Sequence, residues 1–86
     1  MKLDERIMRL IAVGASIAAN CQLCLQVNVA NARENGADEQ EIVEAIEVGK
    51  MVRKGAACKM DQFAAKLNDT DSSSSSAVES RCECGS

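Results

Sequence analysis

Apolar residues return at helical spacing in three stretches of the chain. In the first, Ile7, Leu10, Ile11, Gly14 or Ala15, Ile17 and Ala18 recur every three or four positions, which is one face of an α-helix. Asp4 stands before the run as a candidate N-cap, and Glu5 follows it, as a helix start favours. The run breaks at Ala18-Ala19-Asn20. Asparagine is a poor interior helix residue and a good cap, so Asn20 is expected to cap a second helix, with Cys21 in its first turn. The segment Glu34-Asn35-Gly36-Ala37-Asp38 then ends that helix, with Gly36 in the left-handed position past its C-terminus. Asp38 and Glu41 form a variant of the capping box and open a third helix. The pattern predicts an all-α fold, a short helical bundle with helices at about residues 4–19, 21–35 and 38–67.

The third helix carries an apolar stripe at Ile42, Ala45, Gly49, Val52, Ala56, Met60, Phe63 and Leu67, with Cys58 on its flank. At ~1.5 Å per residue it is on the order of 40 Å long. So small a chain cannot cover that stripe alone. Part of this helix is therefore expected to pack against another copy of the chain, with Gly49, Gly55, Ala56 and Ala57 permitting close approach. The charges Glu39, Glu41, Glu44, Glu47, Lys50, Arg53 and Lys54 read as a solvated face, acids early and bases late. After Leu67 the sequence turns polar: Asn68 to Ser86 is Ser-rich and ends Cys-Glu-Cys-Gly-Ser. Such a segment buries too little apolar surface to order itself and reads as a flexible tail. Residues 1–67 are thus expected to be one helical domain and 68–86 the tail.

Composition narrows the function. The chain has 86 residues, no proline, no histidine and one aromatic residue, Phe63. A net charge of −3 with mixed signs, and no aromatic cluster for base stacking, argue against a nucleic-acid partner. The start, Met-Lys-Leu-Asp-Glu-Arg, mixes acids into what a signal peptide would keep basic. Leu10 to Ala32 carries no charge, yet its Ser, Asn and Gln residues make it too polar for a membrane span. The expectation is a cytoplasmic protein with no membrane partner. Cysteines there are normally reduced, so a Cys-x-x-Cys points to redox chemistry or metal binding over a structural staple.

Cys21 and Cys24 are three apart, on one helix face and close enough to bridge. Cys21 would sit at the positive end of the helix dipole, where unsatisfied N–H groups favour a thiolate. On that ground Cys21 is the attacking thiol and Cys24 the resolving one. Competing readings stand beside it. The two cysteines can simply fill small core positions, or they can pair with Cys82 and Cys84 in a four-thiolate zinc site. Cys82 and Cys84 can also be an inert tail, or a mobile dithiol that exchanges with Cys21 and Cys24 across the tether. Cys58, mid-helix, reads as structural.

The Ala-rich helix leading into Asn-Cys-x-x-Cys-Leu, then Ala-Arg-x-x-Gly-Ala-x-x-x-Glu-Ile-x-Glu-Ala-Ile and a long last helix, resembles the carboxymuconolactone decarboxylase / alkylhydroperoxidase-D-like family over residues 5–67. The resemblance implies homo-oligomers, trimers or hexamers, and a Cys pair used in peroxide reduction or disulfide exchange. It also implies that Cys24 is the peroxidatic residue, assisted by a histidine four residues later and a glutamate twelve residues before the first cysteine. Here those positions are Asn28 and Arg9, with Glu5 one turn from Arg9. Asparagine can orient water or hydrogen-bond a thiol but is no base near neutral pH, and an inward Arg9 would lower a thiol pKa by its charge. The reading is a thiol–disulfide redox protein, peroxidase-like or disulfide-reducing, acting through Cys21 and Cys24. Asn28, Arg9 and Glu5 are auxiliaries, no metal or cofactor is needed, and a thiol reductant protein and further copies of the chain are the partners. The alternatives are an oligomeric scaffold that lost the proton relay and a Cys-based metal-binding protein.

Overall fold

The computed structural model describes residues 1–68. Among these the elements are α1 (Glu5–Ala18), α2 (Gln22–Glu34) and α3 (Glu39–Leu67), with no strand. Every helix end lies within about a residue of its predicted place, because the caps are chemical. The Ile7 N–H donates to Asp4 Oδ1 at 2.8 Å and opens α1. Glu41 N–H donates to Asp38 Oδ1 (2.8 Å) while Asp38 N–H donates to Glu41 Oε1 (3.1 Å), the reciprocal pair of a capping box. Gly36 has φ 95°. Around it Ala37 N–H reaches Ala32 O and Gly36 N–H reaches Arg33 O, the two bonds of a Schellman motif.

One boundary differs from expectation. Asn20 does not cap α2; Cys21 does. Asn20 instead takes φ 56°, and the bonds Asn20 N–H to Ile17 O and Cys21 N–H to Ser16 O, each 3.0 Å, close α1 as a second Schellman motif. Asparagine tolerates the left-handed region as well as a cap position, and the former wins because it leaves Cys21 free to cap.

By its internal contacts the chain divides into two units, Met1–Lys50 and a second beginning at Met51. In the first, Val13, Ala32, Ala37 and Ile42 are buried, with Leu10, Leu25, Val29, Ala45 and Ile46 packed around them. Burying Val13 completely contributes on the order of 2 kcal/mol. The predicted face of α1 is corrected at two positions: Val13 is fully buried, and Ile11 is 55% exposed. In a run where nearly every residue is apolar, spacing alone does not fix which side faces inward.

Helix α3 meets α1 at two glycines. A Cβ on Gly49 would lie 2.8 Å from Ile17 Cβ and against the Gly14 carbonyl, and one on Gly14 would lie 3.1 Å from the Ala45 carbonyl. The predicted close approach at Gly49 therefore occurs within the chain itself. Arg6 adds an ion pair to Glu41 between the same helices; half-exposed, it contributes at most about 1 kcal/mol. At the α2–α3 corner Arg33 donates to both oxygens of Glu39, at 2.6 and 3.0 Å. That hydrogen bond holds the Glu39 carboxyl below its usual range.

In the second unit the predicted stripe of α3, part of which is expected to meet another copy, is exposed. Met60, Phe63 and Leu67 are 64%, 59% and 73% exposed, while Gly55 and Gln62 are buried. The buried positions there are small or polar, so hydrophobicity carries no signal of them. No helix among the described residues is long and apolar enough to cross a membrane. The Ser-rich segment with Cys82 and Cys84 lies outside the described residues, apart from Asn68 at its start.

The Gly14–Gly49 contact has a direct consequence. Gly49→Ala should destabilise the fold by about 1–3 kcal/mol, the usual cost of overpacking a tight contact. Urea unfolding followed by circular dichroism measures it, and an unchanged midpoint would show that the helices can separate to admit a methyl group.

Candidate functional site

The corner between α1 and α2 gathers the chemistry. Cys21 and Cys24 are joined in a disulfide, with Cα atoms 5.2 Å apart. Cys21 has extended backbone (φ −105°, ψ 100°) and is the N-cap of α2. Its Sγ accepts the Cys24 N–H at 3.2 Å. A sulfur thus stands where serine or aspartate oxygen usually caps a helix. Unsatisfied N–H groups and the helix dipole converge on it, and both favour a negative sulfur once the bond is reduced. Cys24 is exposed and Cys21 half-buried, so the disulfide has a solvent-facing edge. Leu23 and Val27, 70% and 48% exposed, lie on the same helix.

Asn28, at the position where the resembled family carries its relay histidine, is half-buried and donates from Nδ2 to Ser16 Oγ at 3.1 Å. Ser16 is buried and donates its own hydroxyl to the Ala12 carbonyl at 2.7 Å. Asn28 is therefore anchored across the α1–α2 hairpin one turn from Cys24. Ser16 is the residue that sequence reasoning missed. Its signal was a polar side chain set inside the apolar run of α1, where an inward hydroxyl needs a partner.

The Ser16–Asn28 bond also fixes the level of the other predicted residues along α1. Arg9 lies seven residues before Ser16, about 10 Å further along the helix axis, and Glu5 another ~6 Å beyond. Arg9 Nε donates to Glu5 Oε2 at 3.2 Å, with Glu5 exposed and Arg9 partly buried. The structure thus brings Cys21, Cys24 and Asn28 to one end of the hairpin and pairs Glu5 with Arg9 towards the other. Cys58, half-buried in α3, is also disulfide-bonded and is not a free thiol. Among the described residues no group of three or more His, Cys, Asp or Glu side chains is placed to hold a metal ion. Cys82 and Cys84, the other half of the zinc reading and the candidate tail dithiol, lie outside the described residues.

Fold and site together define a helical protein with an oxidised Cys-x-x-Cys at a helix start. The model of the carboxymuconolactone decarboxylase family matches residues 1–65, and the chain belongs to that family. It is 42% identical over 55 residues to the protein named "Uncharacterized protein 4 in cox locus" of Paracoccus denitrificans, a match covering 64% of this chain and 50% of that protein. The chain spans about half the length of that curated relative. No solved structure matches the chain.

The corner geometry carries its own test. A β-branched residue is strained at a left-handed position, so Asn20→Val should cost about 1–2 kcal/mol. It should also misplace Cys21, so that the reduced chain reoxidises to the 21–24 disulfide more slowly than the parent. Thermal unfolding and peptide mapping after timed air oxidation measure the two effects.

Proposed function

We propose that this protein is a thiol–disulfide redox protein in which Cys21 and Cys24 cycle between dithiol and disulfide, with disulfide exchange as its main reaction. The observation that carries the reading is the 21–24 disulfide at a solvent-facing helix start, with one sulfur capping the helix. The proposed setting is the cytoplasm, with a thiol reductant protein returning the pair to the dithiol.

The preference for disulfides over peroxides follows from the leaving group. In exchange a thiolate attacks a substrate disulfide and expels another thiolate, which leaves without being protonated. The second protein sulfur then displaces the remaining substrate half, so the substrate gains two electrons and the protein pair loses two. Splitting an O–O bond instead expels an alkoxide or hydroxide, which needs a proton in the transition state. Asn28 cannot supply one near neutral pH, and Glu5 and Arg9 are engaged with each other.

Reduced protein should therefore turn over bis(2-hydroxyethyl) disulfide with dithiothreitol as reductant. It should turn over tert-butyl hydroperoxide more slowly by on the order of 10²-fold, the share of a missing general acid. Cys21→Ser and Cys24→Ser should each abolish both reactions. Asn28→His should raise hydroperoxide turnover at neutral pH by about tenfold or more, because an imidazole titrates there. If both cysteine variants match the parent, the redox reading is wrong and a scaffold that only kept the fold is left.

Self-association into a homo-oligomer is part of the proposal. Val43 and Val48 of the first unit, and Met60, Phe63 and Leu67 of the second, are all about half or more exposed, which supports an interface between copies. Light scattering on the eluting protein should give a mass that is a multiple of 9.2 kDa, and a monomer at micromolar concentration would remove this part of the reading.

A further inference from the structure

The Ser16 hydroxyl has a single proton, and it goes to the Ala12 carbonyl at 2.7 Å. Its oxygen has only lone pairs left for Asn28, 3.1 Å away. The amide group facing Ser16 must therefore be the donor, Nδ2, and the orientation of Asn28 is fixed by proton accounting. Oδ1 is the end left over, and among the described residues no hydrogen bond ends on it. Asn28 lies four residues after Cys24, on the same helix face. Helical side chains lean towards the N-terminus and cover the preceding turn, which here is the turn that carries Cys24.

We propose that Ser16 and Asn28 are positioning residues that make the two thiols unequal: Asn28 Oδ1 accepts the Cys24 S–H and keeps that thiol protonated, so that Cys21, capped by the Cys24 N–H, is the attacking thiolate. This deepens the thiol–disulfide reading above and rests on it. It reverses the order that the family resemblance implies, and the reversal comes from replacing a base by an amide. A histidine at this position takes the proton of the second cysteine; an amide oxygen holds it in place, since a hydrogen bond to the neutral form disfavours ionisation.

Within the first unit the acidic groups of α3 are engaged elsewhere. The charged side chains of the first unit all lie at or before Arg9, or at or after Arg33. In the first-unit part of α3, which packs on the hairpin, Glu39 pairs with Arg33, Glu41 with Arg6 and Glu47 with Lys50, while Glu44 accepts from Gln40. The dipoles of the α2 start and of Asn28 are what differ between the two sulfurs. Cys24 is the more exposed, so access alone would favour it. Ionisation opposes that: each unit of lowered pKa raises the thiolate fraction up to tenfold and costs about threefold in nucleophilicity, a net gain of about threefold.

The step balances. Cys21 thiolate attacks one sulfur of R–S–S–R, forming Cys21–S–S–R and releasing RS⁻. Cys24 then loses its proton to water and attacks Cys21 Sγ, closing the 21–24 disulfide and releasing the second RS⁻. Two protein thiols are oxidised, and one substrate disulfide becomes two thiols.

The test is residue-resolved alkylation of the full, reduced chain by iodoacetamide across pH, read by peptide mass spectrometry. Cys21 should titrate about one unit or more below Cys24, against an ordinary thiol value of ~8.5. Ser16→Ala and Asn28→Ala should each lower the Cys24 midpoint and leave that of Cys21 in place, and Ser16→Thr, which keeps the hydroxyl, should restore the parent profile. A Cys24 midpoint below that of Cys21, or one unmoved by Asn28→Ala, overturns the proposal. A second measurement does not depend on the Ser16 variants folding. Mixed with excess bis(2-hydroxyethyl) disulfide at neutral pH, Cys24→Ser should trap a mixed disulfide on Cys21 faster than Cys21→Ser traps one on Cys24. The opposite order refutes the inference alone. No mixed disulfide on either variant refutes the redox reading, and the inference with it.

Discussion

The backbone N–H of Cys21 is the bond on which the site depends. It closes α1 by donating to the Ser16 carbonyl, while the side chain of the same residue opens α2 by accepting the Cys24 N–H. One residue ends one helix and starts the next, so the sulfur is placed by backbone geometry and not by the packing of a mobile loop. Cys24, one turn on, is then held at bridging distance by helix geometry alone. Ser16 is drawn into the same arrangement twice, through its carbonyl to Cys21 and through its hydroxyl to Asn28. The disulfide and the α1–α2 turn are thereby one structural feature.

The first-unit part of α3 secures that hairpin. Gly14 and Gly49 let α1 and α3 approach to backbone contact, and Ile42, Ala45 and Ile46 join the core with Val13 and Ala32. A core this small and aliphatic has no aromatic side chain to fill gaps. Close approach of backbones takes that role, and dispersion between many small groups replaces the burial of a few large ones.

The sequence made the helices legible because their ends are written in side chains: Asp4, Gly36, and the Asp38–Glu41 pair each have one dominant use. The Asn20–Cys21 corner lies one residue from its expected place because asparagine has two uses, cap and left-handed turn, and only the fold selects between them. The cysteine pair was legible from its spacing. Its companion Ser16 was not, because a lone serine in an apolar helix carries no label for the residue it faces, twelve positions later. The inward phase of α1 was ambiguous where Ile11 and Val13 are equally apolar. Beyond Met51 burial within the chain falls on Gly55 and Gln62, a glycine and a polar residue that hydrophobicity does not mark.

For the proposed redox reading, the missing imidazole matters less for the existence of the cysteine pair than for which bond it would break. Between Arg9 and Arg33 the chain has no ionisable side chain other than the two cysteines, so what the site offers is dipoles: a helix start, backbone N–H groups and one anchored amide. Dipoles of this kind stabilise a thiolate without exchanging protons with it. They suit a reaction whose attacking and leaving groups are both sulfur anions, in which charge moves along a line of three sulfurs and no proton crosses the transition state. They do not suit a reaction whose leaving group is an oxygen anion far more basic than water can tolerate at neutral pH. In the proposed thiol–disulfide reading, an amide in place of a base thus narrows the chemistry of the pair without removing it, and the narrowing falls on the oxygen side.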